Sequence, residues 1–314
     1  MAESTTGRRK PWGESNPLLV KELRGRMRGA RAFVVLTIYL LLLGCFVSLI
    51  YATIVESYSF RFPTSADMAE VGRAIFYAVS IIQLFVVTFI TPAFTAGSIS
   101  GERERKTYEL LRTTLLSARR LVSGKLFATL TYSLLLILAA VPLQGLAFML
   151  GGVTMEQLAL ILLVLAMTAF FFGVVGILFS AILRKTSTAT ALVYGIALLL
   201  TVGLPLVLLL FTGLFGIVLL DHGGERIPFV LRVILIYSAY FIVNLSPVGA
   251  AVTTEMILVE ESSLWFFQLD VWNGGGSTFI PLPSGWIIYT LAYLVLGLVL
   301  LRLTIRQVQR QETQ

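Results

Sequence analysis

"AGSISGERERKTYELLRTTLLSARRLVSGKL", Ala96 to Leu126, lies between two long apolar segments and sets Glu102, Arg103, Glu104, Arg105 and Lys106 side by side. A Lys, Arg or Asp at the centre of a bilayer costs about 2.5–3.5 kcal/mol, so five ionised groups in a row would cost on the order of 15. The chain must therefore leave the membrane near Ser100. The surrounding composition shows that a membrane is the right solvent to consider. Of the 314 residues 57% are hydrophobic and 13% charged, whereas a soluble domain is nearer half apolar and a quarter charged. This is an integral membrane protein.

Outward from that stretch, six segments supply the roughly 20 apolar residues that a span needs. They are about Ala32–Val55, Ala74–Ile99, Leu121–Leu150, Leu158–Leu183, Ala189–Leu220 and Ser284–Leu303. The expected fold is an all-α membrane protein with six transmembrane helices, an N-terminal interfacial helix and a charged cytosolic helix between spans two and three. The expected organisation is a cytosolic arm (1–31), a membrane domain (32–303) and a cytosolic tail (304–314). Within the membrane domain, 100–120 is cytosolic and 221–283 is an outer loop. The first span reads as uncleaved, since no small-residue cleavage site follows it.

Lys and Arg set the orientation, because they stay on the cytoplasmic side. Eight lie in the N-terminal arm, seven between spans two and three, two in the loop "RKTS" and three in the tail. Only Arg61, Arg73, Arg226 and Arg232 fall on the other side. Both termini are then cytoplasmic, in the cell (inner or plasma) membrane. The region from Ala189 to Ala250 leaves two topologies open. The run Thr188–Leu220 would be about 50 Å long as a helix and contains Gly203, Pro205 and Gly213, while Phe229–Val243 is apolar but short for a span. Either the latter is a re-entrant or interfacial helix and there are six spans, or the chain folds back, crosses again and makes eight.

The charged stretch reads as a helix after its exit. Ser100 suits an N-cap, Glu102 and Glu104 suit the first turn, and Glu102 and Lys106 are spaced i,i+4. Tyr108, Leu111 and Leu115 follow as an apolar stripe, and Arg112, Arg119, Arg120 and Lys125 come as the chain returns to the headgroups. Two readings compete. One is a solvated juxtamembrane helix that fixes topology. The other is an amphipathic helix that docks a partner, favoured by the acids among the bases, since a lipid or topology anchor needs only bases.

"ISGERERKTYELLRTTLLSARRLVSGKL", after a span containing Thr91-Pro92, resembles the segment joining spans two and three in permeases of the type-2 ABC exporter family. The matching positions are Ser100, Glu102, Arg103, Glu104, Lys106, Thr107, Glu109, Leu111, Thr114 and Ser117; Leu115 stands where that pattern usually has Pro. "NPLLVKELRGRMRGARAF" (Asn16–Phe33) is similar to the family's interface helix, and "LFSAILRKTSTATALVYG" (Leu178–Gly195) to its link between spans four and five. The resemblance implies an ATP-driven exporter whose ATPase is a separate cytosolic chain carrying ATP and Mg. It also implies a second permease, identical or homologous, forming a dimer, with no nucleic-acid partner.

By the same resemblance, Ser100, Glu102, Arg103, Glu104, Arg105, Lys106, Thr107, Tyr108, Glu109, Leu111, Arg112 and Leu115 form the coupling helix that docks on the ATPase. The amphipathic arm, with Lys21, Glu22, Leu23, Arg24, Met27 and Arg28, would press beside it; as a basic helix before a span it also suits a plain membrane anchor.

No G-x-x-x-x-G-K-[ST] occurs; "RRLVSGKL" has the Gly-Lys pair without its neighbours, so the chain is not its own ATPase. Lone Cys45 and lone His222 supply neither a disulfide framework nor a metal site. The span centres carry essentially no ionisable group, which counts against proton relays, ion pumps and intramembrane hydrolases; no catalytic residue is assigned. Gln83 and Gln144 read as helix-packing residues, with a path-lining role as the alternative. Trp265, Phe266, Phe267 and Trp272 read as an aromatic belt, or else as a lid. The uncharged path favours a lipid-like or amphipathic cargo. The competing function is an ATPase-independent channel or assembly scaffold.

Overall fold

The computed structural model describes residues 30–57, 64–106, 117–207, 209–210, 228–261, 263–272 and 277–312. The interface-helix residues from Lys21 to Arg28 and the coupling residues from Thr107 to Leu115 lie outside them. In chain order the helices are α1 (Ala30–Ser57), α2 (Ser65–Thr95), α3 (Ser100–Glu104), α4 (Ala118–Ala139), α5 (Val141–Met149), α6 (Met155–Ile182) and α7 (Thr186–Leu198). Then come α8 (Phe229–Asn244), α9 (Pro247–Glu261), strands β1 (Phe266–Trp272) and β2 (Ser277–Pro283), and α10 (Gly285–Glu312).

Among the described residues, six helical runs are long and apolar enough to cross a membrane: Phe33–Glu56, Ser65–Glu104, Ala118–Met149, Met155–Ile182, Thr186–Val207 and Gly285–Arg310. These are the six expected spans. The fifth carries a π-helical turn at Leu199–Gly203, inside the run whose length suggested a kink. The eight-span alternative turned on α8 and α9. They form a hairpin bent by 114°, and at 16 and 15 residues each is roughly 22–24 Å long, short of a 30 Å core.

α6 is the central helix, packed against α2, α4, α7, α9 and α10. It is apolar all round, as a helix enclosed by others must be. Gly176 sets its approach to α2: a Cβ there would lie 2.7 Å from Thr95 Cβ and 3.3 Å from the Ala96 nitrogen, closer than packed atoms tolerate. α2 and α6 both begin with a capping box, Thr64 with Asp67 and Thr154 with Gln157.

The third span breaks at Ala140, where Pro142 cannot donate a backbone hydrogen bond. Gln83, fully buried on α2, faces the break. Its Nε2 donates to the Ile137 carbonyl (3.1 Å), and Gln144 Nε2 donates to Gln83 Oε1 (2.7 Å). These contacts are those of helix packing.

The one sheet among the described residues is the antiparallel β1–β2 pair, placed on the α8 end of the bundle. Tyr237 and Tyr240 hydroxyls donate to the Pro281 and Pro283 carbonyls (2.7 and 2.8 Å). Trp265 and Phe266 are exposed, and Phe267 packs on Tyr240. The aromatic outer loop and a short helix at Phe229–Val243 are expected from the sequence; the second helix α9 and the two strands are not.

Candidate functional site

α2 and α3 run continuously enough to be about 60 Å long over 40 residues, twice the hydrocarbon thickness. The far end must therefore protrude, and the protruding turn is Ser100–Glu104. α3 is held by helices remote in sequence. Its first two amide groups, Ile99 N and Ser100 N, donate to Ser180 Oγ near the end of α6 (2.9 and 3.0 Å). Ser100 is thus not the N-cap that its sequence position suggested. Ile99 holds that place without a side-chain bond, and the cap is supplied by Ser180. The Ser100 hydroxyl bridges the Ala96 carbonyl, Ser180 and Thr186 instead.

The three charged residues of α3 each reach a different element. Glu102 accepts from Lys125 of α4 in a 2.7 Å ion pair whose lysine side chain is 3% exposed. Lys125 also donates to the Ser98 carbonyl (2.8 Å). Arg103 Nη1 donates to the Ala181 carbonyl at the end of α6 (2.9 Å), where a cation complements the helix dipole. Glu104 accepts from the Thr186 amide and hydroxyl (2.8 and 2.9 Å), capping the first turn of α7. Those two hydrogen bonds hold the Glu104 carboxyl below the ordinary carboxylate range.

The helix then stops. Lys106 has φ 57°, a left-handed conformation that costs a residue with a Cβ about 1–2 kcal/mol, and its amide closes on the Arg103 carbonyl (3.0 Å). The expected single helix from Ser100 to Leu115, with its Glu102–Lys106 spacing, ends at Glu104. Arg105 and Lys106 remain exposed beyond it, beside exposed Arg184 and Lys185.

Ser180, Thr186 and the Lys125 partnership were missed in the sequence. The Ser180 and Thr186 contacts span about 80 residues, and local periodicity carries no signal for them. The sequence places Lys125 among headgroup-facing bases; its ammonium is instead drawn inward by the Ser98 carbonyl and Glu102.

A second polar group lies at the opposite end. Glu255 of α9 accepts at Oε1 from the Tyr77 hydroxyl of α2 (3.1 Å) and from Gln157 Nε2 of α6. It lies in the stretch 221–283 that the sequence assigns to the outer loop. Beneath it is a cavity of about 480 Å³ between α2, α6 and α9.

Six apolar spans, one of them the buried central helix α6, with a charged elbow bound to three of the six at one end, make this a multi-pass membrane protein. Residues 17–302 match the family model for the ABC-2 family transporter protein, and the chain belongs to that family. Its role is that of a transport membrane subunit. No curated protein matches the chain at a significant level.

Proposed function

We propose that the chain is the permease subunit of an ATP-driven exporter, and that the α3 elbow receives the stroke of a separate cytosolic ATPase. The observation that carries this is the elbow's attachment: Ser100–Glu104 is bound to the end of α6, the start of α7 and α4. A force applied to the exposed Arg105–Lys106 turn would reach three spans besides α2 at once. A segment that served only as a topology signal would need charge but no such joinery.

In this reading the mixed signs act within the chain. Glu102, Arg103 and Glu104 transmit, while Arg105, Lys106 and the segment from Thr107 to Leu115, with Tyr108, Glu109, Leu111 and Arg112, make the contact. The arm from Lys21 to Arg28 presses beside it. ATP and Mg belong to the partner, both termini are cytoplasmic, and a second permease, identical or homologous, completes the pathway.

The test is isolation of the full-length protein from its native membranes in a gentle detergent, with each co-eluting polypeptide identified. A stoichiometric chain carrying a Walker motif is the expected result. A preparation that keeps other membrane complexes whole and contains no such chain favours the ATPase-independent channel or scaffold.

A further inference from the structure

The cavity at the α8–α9 end has a polar head and an apolar body. Glu255, Tyr77 and Gln157 meet at one side of it, Ser80 and Thr254 are its other polar lining residues, and the rest of the lining, such as Leu84, Ile161 and Val164, is apolar. Its volume, about 480 Å³, falls within the range of about 300–1,000 Å³ of small-molecule sites, which are mostly apolar with a few converging polar groups.

The arrangement follows the membrane normal. Gln157 is in the first turn of α6, at the level where a span enters the bilayer, while Val164 and Leu84 lie about 10 Å deeper along α6 and α2, seven residues on. The side is open as well: Ile81, Val252 and Met256 are about half exposed (52, 49 and 57%).

The charge decides the occupant. Both donors to Glu255 meet the same oxygen, Oε1. Among the described residues no hydrogen bond or ion pair reaches Oε2. Arg73 lies one turn away from Tyr77 on α2 and is exposed, without an ion pair to Glu255. A carboxyl set over an apolar cavity with one oxygen unengaged complements a protonated amine, which supplies both the missing donor and the counter-charge. An anionic head would meet like charge, and an uncharged one would leave the carboxylate unpaired.

We infer that this cavity binds an amphiphile bearing a primary ammonium group, with the ammonium on Glu255 and its apolar chain between α2, α6 and α9. As a statement about cargo this rests on the transport reading above; as a binding site it stands without any ATPase. The ammonium has two possible sources, a membrane lipid with an amine headgroup or a soluble amine with an alkyl chain.

The test uses the full-length protein in phosphatidylcholine nanodiscs and radiolabelled dodecylamine, with empty discs as the blank. Saturable binding is expected, displaced by unlabelled dodecylamine but not by dodecanol or dodecanoate. Glu255→Gln, which keeps an acceptor for Tyr77, should weaken binding about tenfold or more. Val252→Trp, entering the cavity from an exposed position and leaving Glu255 untouched, should weaken it comparably.

Phosphatidylethanolamine added to the discs displaces the probe if the natural ligand is a lipid, and leaves it bound if the ligand is soluble. Binding no greater than in empty discs overturns the inference, as does equal competition by dodecanol; both are read on the wild-type chain, whatever the variants' folding. Unchanged affinity in a folded Glu255→Gln protein also overturns it. Because no partner is present, failure here leaves the ATPase reading standing, and absence of an ATPase leaves this result standing.

Discussion

At the Ser100 end, Glu102, Arg103 and Glu104 each bind a different helix, and Ser180 and Thr186 close the remaining bonds. At the other end, Glu255 joins α9 to α2 and α6 through one oxygen and stands over a cavity. The first arrangement has little room to deform without breaking charge-assisted bonds. The second has unfilled volume, an irregular hairpin and an open side. A transporter needs both properties, a stiff input and a compliant region where space can open and close. Charge in this chain is spent on internal attachment at one end and, in our inference, on recognition at the other.

The largest effect is expected when the cation is removed from the stiff end. Lys125→Met leaves Glu102 without its buried partner and should destabilise the protein by about 3–5 kcal/mol, seen as a large fall in melting temperature in detergent. Lys125→Met/Glu102→Leu should recover much of that loss, because replacing both members of a pair leaves no stranded charge. Next comes Gly176→Val, which forces α2 and α6 apart at Thr95. Overpacking costs about 1–3 kcal/mol, so the same melting assay should show a clear but smaller shift.

Gln83→Leu should cost about 1–3 kcal/mol by stranding Gln144 and the carbonyl at the α4–α5 break. A path-lining role would instead leave stability near wild type and change transport.

The smallest effect is expected at the exposed elbow. Thr186→Val removes the hydroxyl bond to Glu104 and keeps the amide bond. Glu104's folded-state affinity for a proton is lowered, so its contribution is fully present above the ordinary carboxylate range and is lost as pH falls through the lowered value. Melting curves of wild type and Thr186→Val should therefore differ slightly near neutrality and converge in acid.

The spans were legible because each is a long apolar run whose burial in lipid needs no partner to be recognised. The break near Pro142 and the irregularity before Pro205 were legible for local reasons too, in the imino ring and the glycines. The α8–α9 hairpin was half legible: the shortness of Phe229–Val243 argued against a crossing, but nothing local fixed a 114° turn stapled by Thr253 on Asn244. The β1–β2 hairpin did have a signal, two strand-like runs flanking Asn273-Gly274, hidden by reading the aromatics as a belt. Lys125 turns inward rather than toward the headgroups, and the partners of both Lys125 and Glu255 lie too far off in sequence for local periodicity to signal them. For the same reason the mixed charges at Ser100–Lys106 pointed to a partner protein when three of them are engaged within the chain.

In the proposed mechanism the elbow separates contact from transmission, and one experiment tests that division directly. The chain is purified from its native membranes as wild type, as Arg105→Glu/Lys106→Glu and as Glu104→Gln, and the co-eluting ATPase is quantified against each. The account predicts that the ATPase accompanies the wild type and Glu104→Gln and is largely lost from the folded double charge reversal. An ATPase retained by the charge reversal, or lost from Glu104→Gln alone, would contradict it.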